Sequence, residues 1–382
     1  MPVLSRFASL AALAPLTFAL MACTDAGMAD QTPVVASEIS LRLEQVAPAE
    51  QPWGMVFLAD GGLLFTEKEG GLKYLAPGGA PTSVTGLPAA FTSGQAGYLG
   101  IALDPAFETS RLVYVAYSAG TAEENTTAVV RGALNEARTG LDNVEEIFRG
   151  DPRNTAHHYG SRLVFAPDGT LFIGLGDGFR LMQEAQNPAN THGKIVRINA
   201  DGSIPADNPF ADGVNGHPAV WSYGHRNIQG MVFDPSTDTL WATEHGPKGG
   251  DELNIIQRGS NYGWPTITYG VNYDGSIITT QTEAEGMQQP ELFWVPSIAP
   301  AGLAQLTSDR YPGWEGNLFS GGMNGPAGMV LVRIELDGDR VAGKEDLLKG
   351  EMPIRDVVQG PDGYLYVANK DFDGIFRVVP EF

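Results

Sequence analysis

Four short polar segments of this sequence hold residue types that do chemistry, and each also has a plainer structural reading. In Thr155-Ala-His157-His158-Tyr-Gly-Ser-Arg162-Leu, a histidine pair stands directly before an apolar run. A histidine so placed titrates near neutral pH and can take a proton from an alcohol. The same pair reads equally well as a hydrogen-bonded loop histidine or a metal ligand. In Trp221-Ser-Tyr-Gly-His225-Arg226-Asn227, a guanidinium beside an amide suits a carboxylate or a developing oxyanion. Arg226 could instead be a structural tie between neighbouring units. Glu244-His-Gly246-Pro247-Lys-Gly-Gly-Asp251-Glu252, followed by Asn261-Tyr262-Gly-Trp, interleaves carboxylates with exposed carbonyls, the donors a hard cation such as calcium requires. Its spacing is not that of an EF-hand. Gly94-Gln95-Ala-Gly-Tyr-Leu-Gly100 is a glycine-rich turn between apolar runs rather than before a helix, which argues against a phosphate cradle.

Other chemistries lack their signatures. The sequence contains no Gly-x-Ser-x-Gly elbow, no His-Glu-x-x-His zinc motif and no dinucleotide fingerprint in a strand-turn-helix setting. Nicotinamide chemistry therefore loses most of its support. With 24 basic against 45 acidic residues, net charge −21, the chain would repel a phosphate backbone and an anionic membrane surface alike. Nucleic acid is excluded as a partner on that ground.

The elements that must position these segments are strands. The 48 glycines and 26 prolines imply many turns, and the 43% hydrophobic content supplies a core. A turn carrying Asp or Gly precedes an apolar strand six times: at Asp60, Asp104, Asp168, Asp234, Gly316 and Asp362. Each copy has an apolar partner just upstream, such as Gly54-Met-Val-Phe or Arg162-Leu-Val-Phe, so hairpins follow. Four-stranded blades need neighbours on both faces, and six closed into a ring satisfy that need. The expected fold is all-β, a six-bladed β-propeller with four-stranded antiparallel blades and little helix, preferred over a β-sandwich. Residues 123–148 and 246–286 are the longest stretches between strand signals and are expected to be functional loops.

Ahead of this body, Arg6 and the apolar run Leu10 to Leu20 read as an export signal. Leu20-Met21-Ala22-Cys23 resembles a lipobox, and Cys23 is the sole cysteine, so no internal disulfide is possible. The expected organisation is a lipoprotein signal over residues 1–22, a polar tether over 23–37 and the propeller over 38–382, anchored by lipid at Cys23. The alternative is a cleaved signal with an incidental cysteine. The expected location is periplasmic, at the outer membrane.

Taken together and in order, Gly94-Gln95-Ala-Gly-Tyr-Leu-Gly, His157-His158-Tyr-Gly-Ser-Arg-Leu, Tyr223-Gly-His-Arg226-Asn227, Glu244-His-Gly246-Pro247 with Asp251-Glu252, and Asn261-Tyr262-Gly-Trp resemble the pyrroloquinoline-quinone aldose sugar dehydrogenases, close to soluble glucose dehydrogenase. The resemblance runs from about residue 40 onward. It implies oxidation of the anomeric carbon of an aldose to a lactone, with pyrroloquinoline quinone and calcium (Ca2+) as cofactors and a quinone or cytochrome as electron acceptor. By that resemblance His158 is the base and Arg226 stabilises charge on the reduced cofactor. Gln95, Arg226, Asn227, Ser297 and Arg355 match cofactor contacts. Gly246 and Pro247 match carbonyl ligands of one calcium, while Glu252 and Tyr262 match ligands of another. Two basic positions of the family are replaced here, by Asn324 and by Pro353, with Lys248 and Lys370 as nearby cations. That depletion motivates a second reading, a calcium-stabilised carbohydrate-binding propeller without redox activity, and because propellers host such chemistry a metal-dependent lactonase is a third.

Overall fold

A computed structural model describes residue 30 and residues 32–370 and 374–381; the expected export signal and Cys23 lie outside the described residues. The described residues form six four-stranded antiparallel sheets, with two four-residue α-helices and one short 3₁₀ turn. Blades 1 to 5 run in chain order over residues 52–84, 98–149, 160–223, 228–294 and 300–347. Blade 6 takes Ile354–Gln359, Leu365–Asn369 and Gly374–Glu381, and receives Ser40–Pro48 as its outermost strand. The expected six-bladed β-propeller is the fold observed.

Burial explains why these segments are strands. Every apolar run after the repeated turn becomes the second strand of its blade, as in Leu63–Glu67, Thr170–Leu175 and Thr239–Glu244, all wholly buried. Such a strand is covered on both faces by adjacent blades, so it is apolar throughout instead of alternating. Outer strands such as Leu141–Arg149 are partly exposed and carry charge. The hydrophobic core is accordingly a set of layers between blades. One cluster packs Leu64 and Leu72 of blade 1 on Val113 and Val115 of blade 2; another closes the ring, with Met55 and Phe65 against Tyr366 and Ile375.

Two segments differ from expectation. Residues 123–148 are largely the strands Asn125–Leu134 and Leu141–Arg149 rather than a loop. The threonines of the mostly buried first strand and the acidic side chains of the partly exposed outer strand hid them. Residues 33–37, inside the expected tether, lie along blade 5, where the Val35 N–H donates to the Lys344 carbonyl at 2.9 Å. In the second long stretch, Asp251–Ile255 is a strand and the remainder is a loop.

The innermost strand of every blade carries a register shift near its start. A bulge leaves one residue out of the ladder and re-aims its side chain. In blades 4 and 6 the displaced residues are Gln229 and Arg355, and both line the central cavity. Across the channel, Arg162 of blade 3 donates to the Gln229 carbonyl at 2.5 Å and to Asp356 Oδ1 at 2.7 Å, and its guanidinium lies 4.3 Å from the Trp53 ring centroid. The inter-blade tie considered for Arg226 is thus supplied by Arg162.

Candidate active site

His158 sits at the entry to blade 3, in the left-handed region at φ 54°, a conformation costly for a non-glycine residue. It is held there from three sides. Arg153 donates to its carbonyl at 2.6 Å, its N–H donates to Gln95 Oε1 at 2.8 Å, and its ring Nδ1 lies 2.6 Å from Asp177 Oδ1. Asp177 follows the second strand of the same blade. That strand can approach because of Gly176, where a Cβ would stand only 2.0 Å from the His158 carbonyl oxygen.

Asp177 is fully engaged. Its Oδ1 also accepts the Phe179 N–H at 2.7 Å, and its Oδ2 accepts Trp264 Nε1–H at 2.8 Å. Burial and the nearby Arg226 charge lower the His158 pKa, and the Asp177 hydrogen bond only partly offsets them. The ring is then neutral at pH 7. A carboxylate only accepts, so the proton resides on Nδ1, leaving the Nε2 lone pair as a base. Asp177 is a functional residue that the sequence reading missed; its signal was a Gly-Asp-Gly triplet directly after the Phe-Ile-Gly-Leu strand, which looks like an ordinary turn.

The expected site residues other than His158 line three adjoining spaces that share His245, and the two residues after His158, Tyr159 and Gly160, line the first. The first, a cavity of about 630 Å³, is lined by Gln95, Asn227 and Arg355, together with Gln229, Lys68, Lys370, Trp53 and Tyr159. Among the described residues its lining includes three basic side chains and no carboxylate, in a chain of net charge −21. Its volume and its mix of flat rings, amides and cations fit a planar polycarboxylate such as pyrroloquinoline quinone. Lys370 stands beside Pro353, its N–H directed to the Pro353 carbonyl at 3.4 Å, so a cation flanks one of the two substituted positions.

The second space, about 580 Å³, is lined by Gly246, Pro247, Lys248, Tyr273, Ser297 and Asn324. Asp251 builds this wall. Its Oδ1 accepts the Gly246 N–H at 2.8 Å, while its Oδ2 accepts the Ser297 hydroxyl at 2.7 Å and the Ile298 N–H at 2.8 Å. Burial nevertheless pushes its pKa up to about 6. Asn324 donates to the Ser297 carbonyl at 2.8 Å. Ser297 therefore borders this second space, apart from the lining that holds Gln95 and Asn227.

The third is a small enclosed space bounded by Arg226, Glu244, Glu252, Tyr262 and Thr268. Arg226 donates to the carbonyls of His245 at 2.9 Å and Gly246 at 2.5 Å, and Glu244 accepts both the Arg226 N–H at 2.6 Å and His225 Nδ1–H at 2.9 Å. Burial and the Glu244 charge push Glu252 up to about 8, so without a cation it is protonated at neutral pH. Buried Glu244 beside half-buried Glu252, which does not ionise alone, fits a hard cation. The Tyr262 hydroxyl donates to the Ile255 carbonyl at 2.5 Å and accepts the Gln257 N–H at 2.7 Å, so Tyr262 could offer a cation only its main-chain carbonyl. The Gly246 carbonyl can serve a second cation only by sharing its oxygen with Arg226.

Comparison with known proteins follows this geometry. The Glucose / Sorbosone dehydrogenase family model matches residues 49–378. The aldose sugar dehydrogenase YliI of Escherichia coli is 39% identical over 341 residues, spanning 87% of this chain and 90% of that protein. The solved apo-form of soluble aldose sugar dehydrogenase from Escherichia coli superposes with a TM-score of 0.85 at 36% identity, covering 90% of this chain and all (100%) of that one. The PQQ-bound form of aldose sugar dehydrogenase from Streptomyces coelicolor superposes with a TM-score of 0.75 at 29% identity, covering 91% and 99%.

Proposed function

The chain belongs to the glucose/sorbosone dehydrogenase family, and from that membership we propose that it oxidises the anomeric carbon of an aldose to the lactone, using pyrroloquinoline quinone. The observation that carries the reading is the neutral His158 ring, its Nδ1 occupied by Asp177 at 2.6 Å and its Nε2 left to accept a proton. In this reading a sugar hydroxyl is the donor of that proton. When bound, the quinone would supply the two-electron acceptor for the hydrogen leaving the anomeric carbon.

The chain's own residues do the rest. His158 takes the hydroxyl proton on Nε2, and Asp177 stabilises the imidazolium that results. Gln95 fixes the backbone of His158, while Asn227, Gln229, Arg355, Lys68 and Lys370 would hold the cofactor and its carboxylates. Arg226, tied to the Gly246 carbonyl at 2.5 Å, would stabilise negative charge on the reduced cofactor. Calcium would be held beside Glu252 and the Tyr262 carbonyl, and at the Gly246 and Pro247 carbonyls, where it would act as a Lewis acid. Electrons would pass to a quinone or cytochrome in the periplasm, with the chain tethered through Cys23.

Replacement of two expected basic positions by Asn324 and Pro353 keeps a second reading in play, a calcium-stabilised carbohydrate-binding propeller without redox activity. Purified protein given quinone, calcium, an aldose and a redox dye separates them. Dye reduction is expected; sugar binding without dye reduction at saturating quinone overturns the dehydrogenase reading. His158→Ala should abolish turnover and leave quinone binding intact.

A further inference from the structure

The described residues expose only two large aromatic side chains, Phe179 at 43% and Tyr273 at 62%. They come from different blades. Phe179 follows the second strand of blade 3, Thr170–Leu175, and Tyr273 lies in the long loop between Asp251–Ile255 and Leu292–Trp294 of blade 4. Yet their rings meet, with centroids 6.4 Å apart and planes inclined by 30°.

Each ring is attached to a reactive group. Phe179 stands edge-on to the His158 ring at 5.2 Å and near His157 at 5.6 Å. The Tyr273 hydroxyl accepts from Arg226 at 3.3 Å, and the guanidinium lies 5.9 Å from its ring centroid. Phe179 is also held at φ 68°, its N–H bonded to the same Asp177 oxygen that holds His158. A bulky residue in the left-handed region is strained and persists where the surroundings impose it. An exposed aromatic pair gains little from core packing, and such patches mark ligand contacts.

We infer that Phe179 and Tyr273 form a substrate wall that takes the apolar C–H face of an aldopyranose ring, with Phe179 setting the sugar over His158. This rests on the dehydrogenase reading for the identity of the sugar chemistry. An aldose presents hydroxyls at its rim and carbon-bound hydrogens on its faces. A ring laid against the two aromatics keeps those hydrogens dry while its anomeric hydroxyl reaches the imidazole. The pairing also gives His157 a place, at the Phe179 edge of the wall.

The test compares Phe179→Ala and Tyr273→Ala with the unsubstituted protein. Each should raise KM for the aldose about tenfold, as expected for loss of roughly 1.4 kcal/mol of aromatic contact. Quinone titration followed by absorbance should not move, since neither ring lines the quinone cavity. A Phe179→Trp variant keeps the platform and should change its emission, relative to the unsubstituted protein, when aldose is added. Unchanged KM in both alanine variants of an active enzyme overturns the wall and leaves the dehydrogenase reading standing. If the unsubstituted protein reduces no dye, the emission of Phe179→Trp still decides: a saturable response to aldose supports the wall, and a flat response overturns it. Tyr273→Ala, in an exposed loop, keeps the comparison decisive should Phe179→Ala fold poorly.

Discussion

Asp177 grips His158 and Phe179 through one oxygen: Oδ1 lies 2.6 Å from the imidazole Nδ1 and 2.7 Å from the Phe179 backbone nitrogen. One carboxylate therefore sets both the tautomer of the proposed base and the backbone of its neighbour. Replacing it with an amide keeps the shape but supplies no obligate acceptor.

Asp177→Asn should lower kcat by roughly 10²–10⁴-fold, the range for losing an oriented acid–base group. The pH profile carries the sign. Activity requires neutral His158, so it rises with pH through an apparent pKa below the ordinary 6.5. Asp177 is the group raising that pKa, so its loss should move the rising limb to lower pH while the plateau falls. Steady-state rates between pH 4 and 8, with circular dichroism to confirm folding, check both parts.

Lys370→Ala should weaken quinone binding about ten- to a hundredfold, the worth of one charge-assisted contact. Absorbance titration of the protein measures it. The loss should shrink as salt rises, whereas a change in cavity shape would be insensitive to salt.

Metal-free protein should lose stability as pH rises from about 4.5 through about 8, because folded Glu252 holds its proton over that interval and the unfolded chain does not. Below that window both states are protonated and the penalty vanishes. Calcium should displace the proton and raise the melting temperature, with a larger increment at pH 8 than at pH 5. Thermal scans with calcium and with chelator report this directly.

Arg162→Met should destabilise the ring by about 3–5 kcal/mol, since it strands buried Asp356, whose carboxyl burial already drives upward. Adding Asp356→Leu should recover much of the loss. Denaturant titration of the single and double variants gives the coupling.

The blades were legible because a strand covered on both faces must be apolar throughout, and a turn must precede each one. The hairpin from Asn125 to Arg149 escaped because an outer strand carries charge on its wet face and resembles a loop. Of the site, His158, Arg226 and Glu252 were visible as polar residues at strand ends. Asp177 was not, since its meaning depends on a 19-residue separation closed by the Gly176 approach. Gln229 was hidden for another reason: only the bulge between Ile228 and Gly230 takes it out of the ladder.

The ring is closed by pairing Ser40–Pro48 with Gly374–Glu381. Arg355 and Lys370, two of the three basic side chains lining the first cavity, belong to that same last blade. Gln51, Pro52 and Trp53 of the same cavity come just after the first strand, so the pairing that closes the ring also brings residues from both ends of the described chain to one lining.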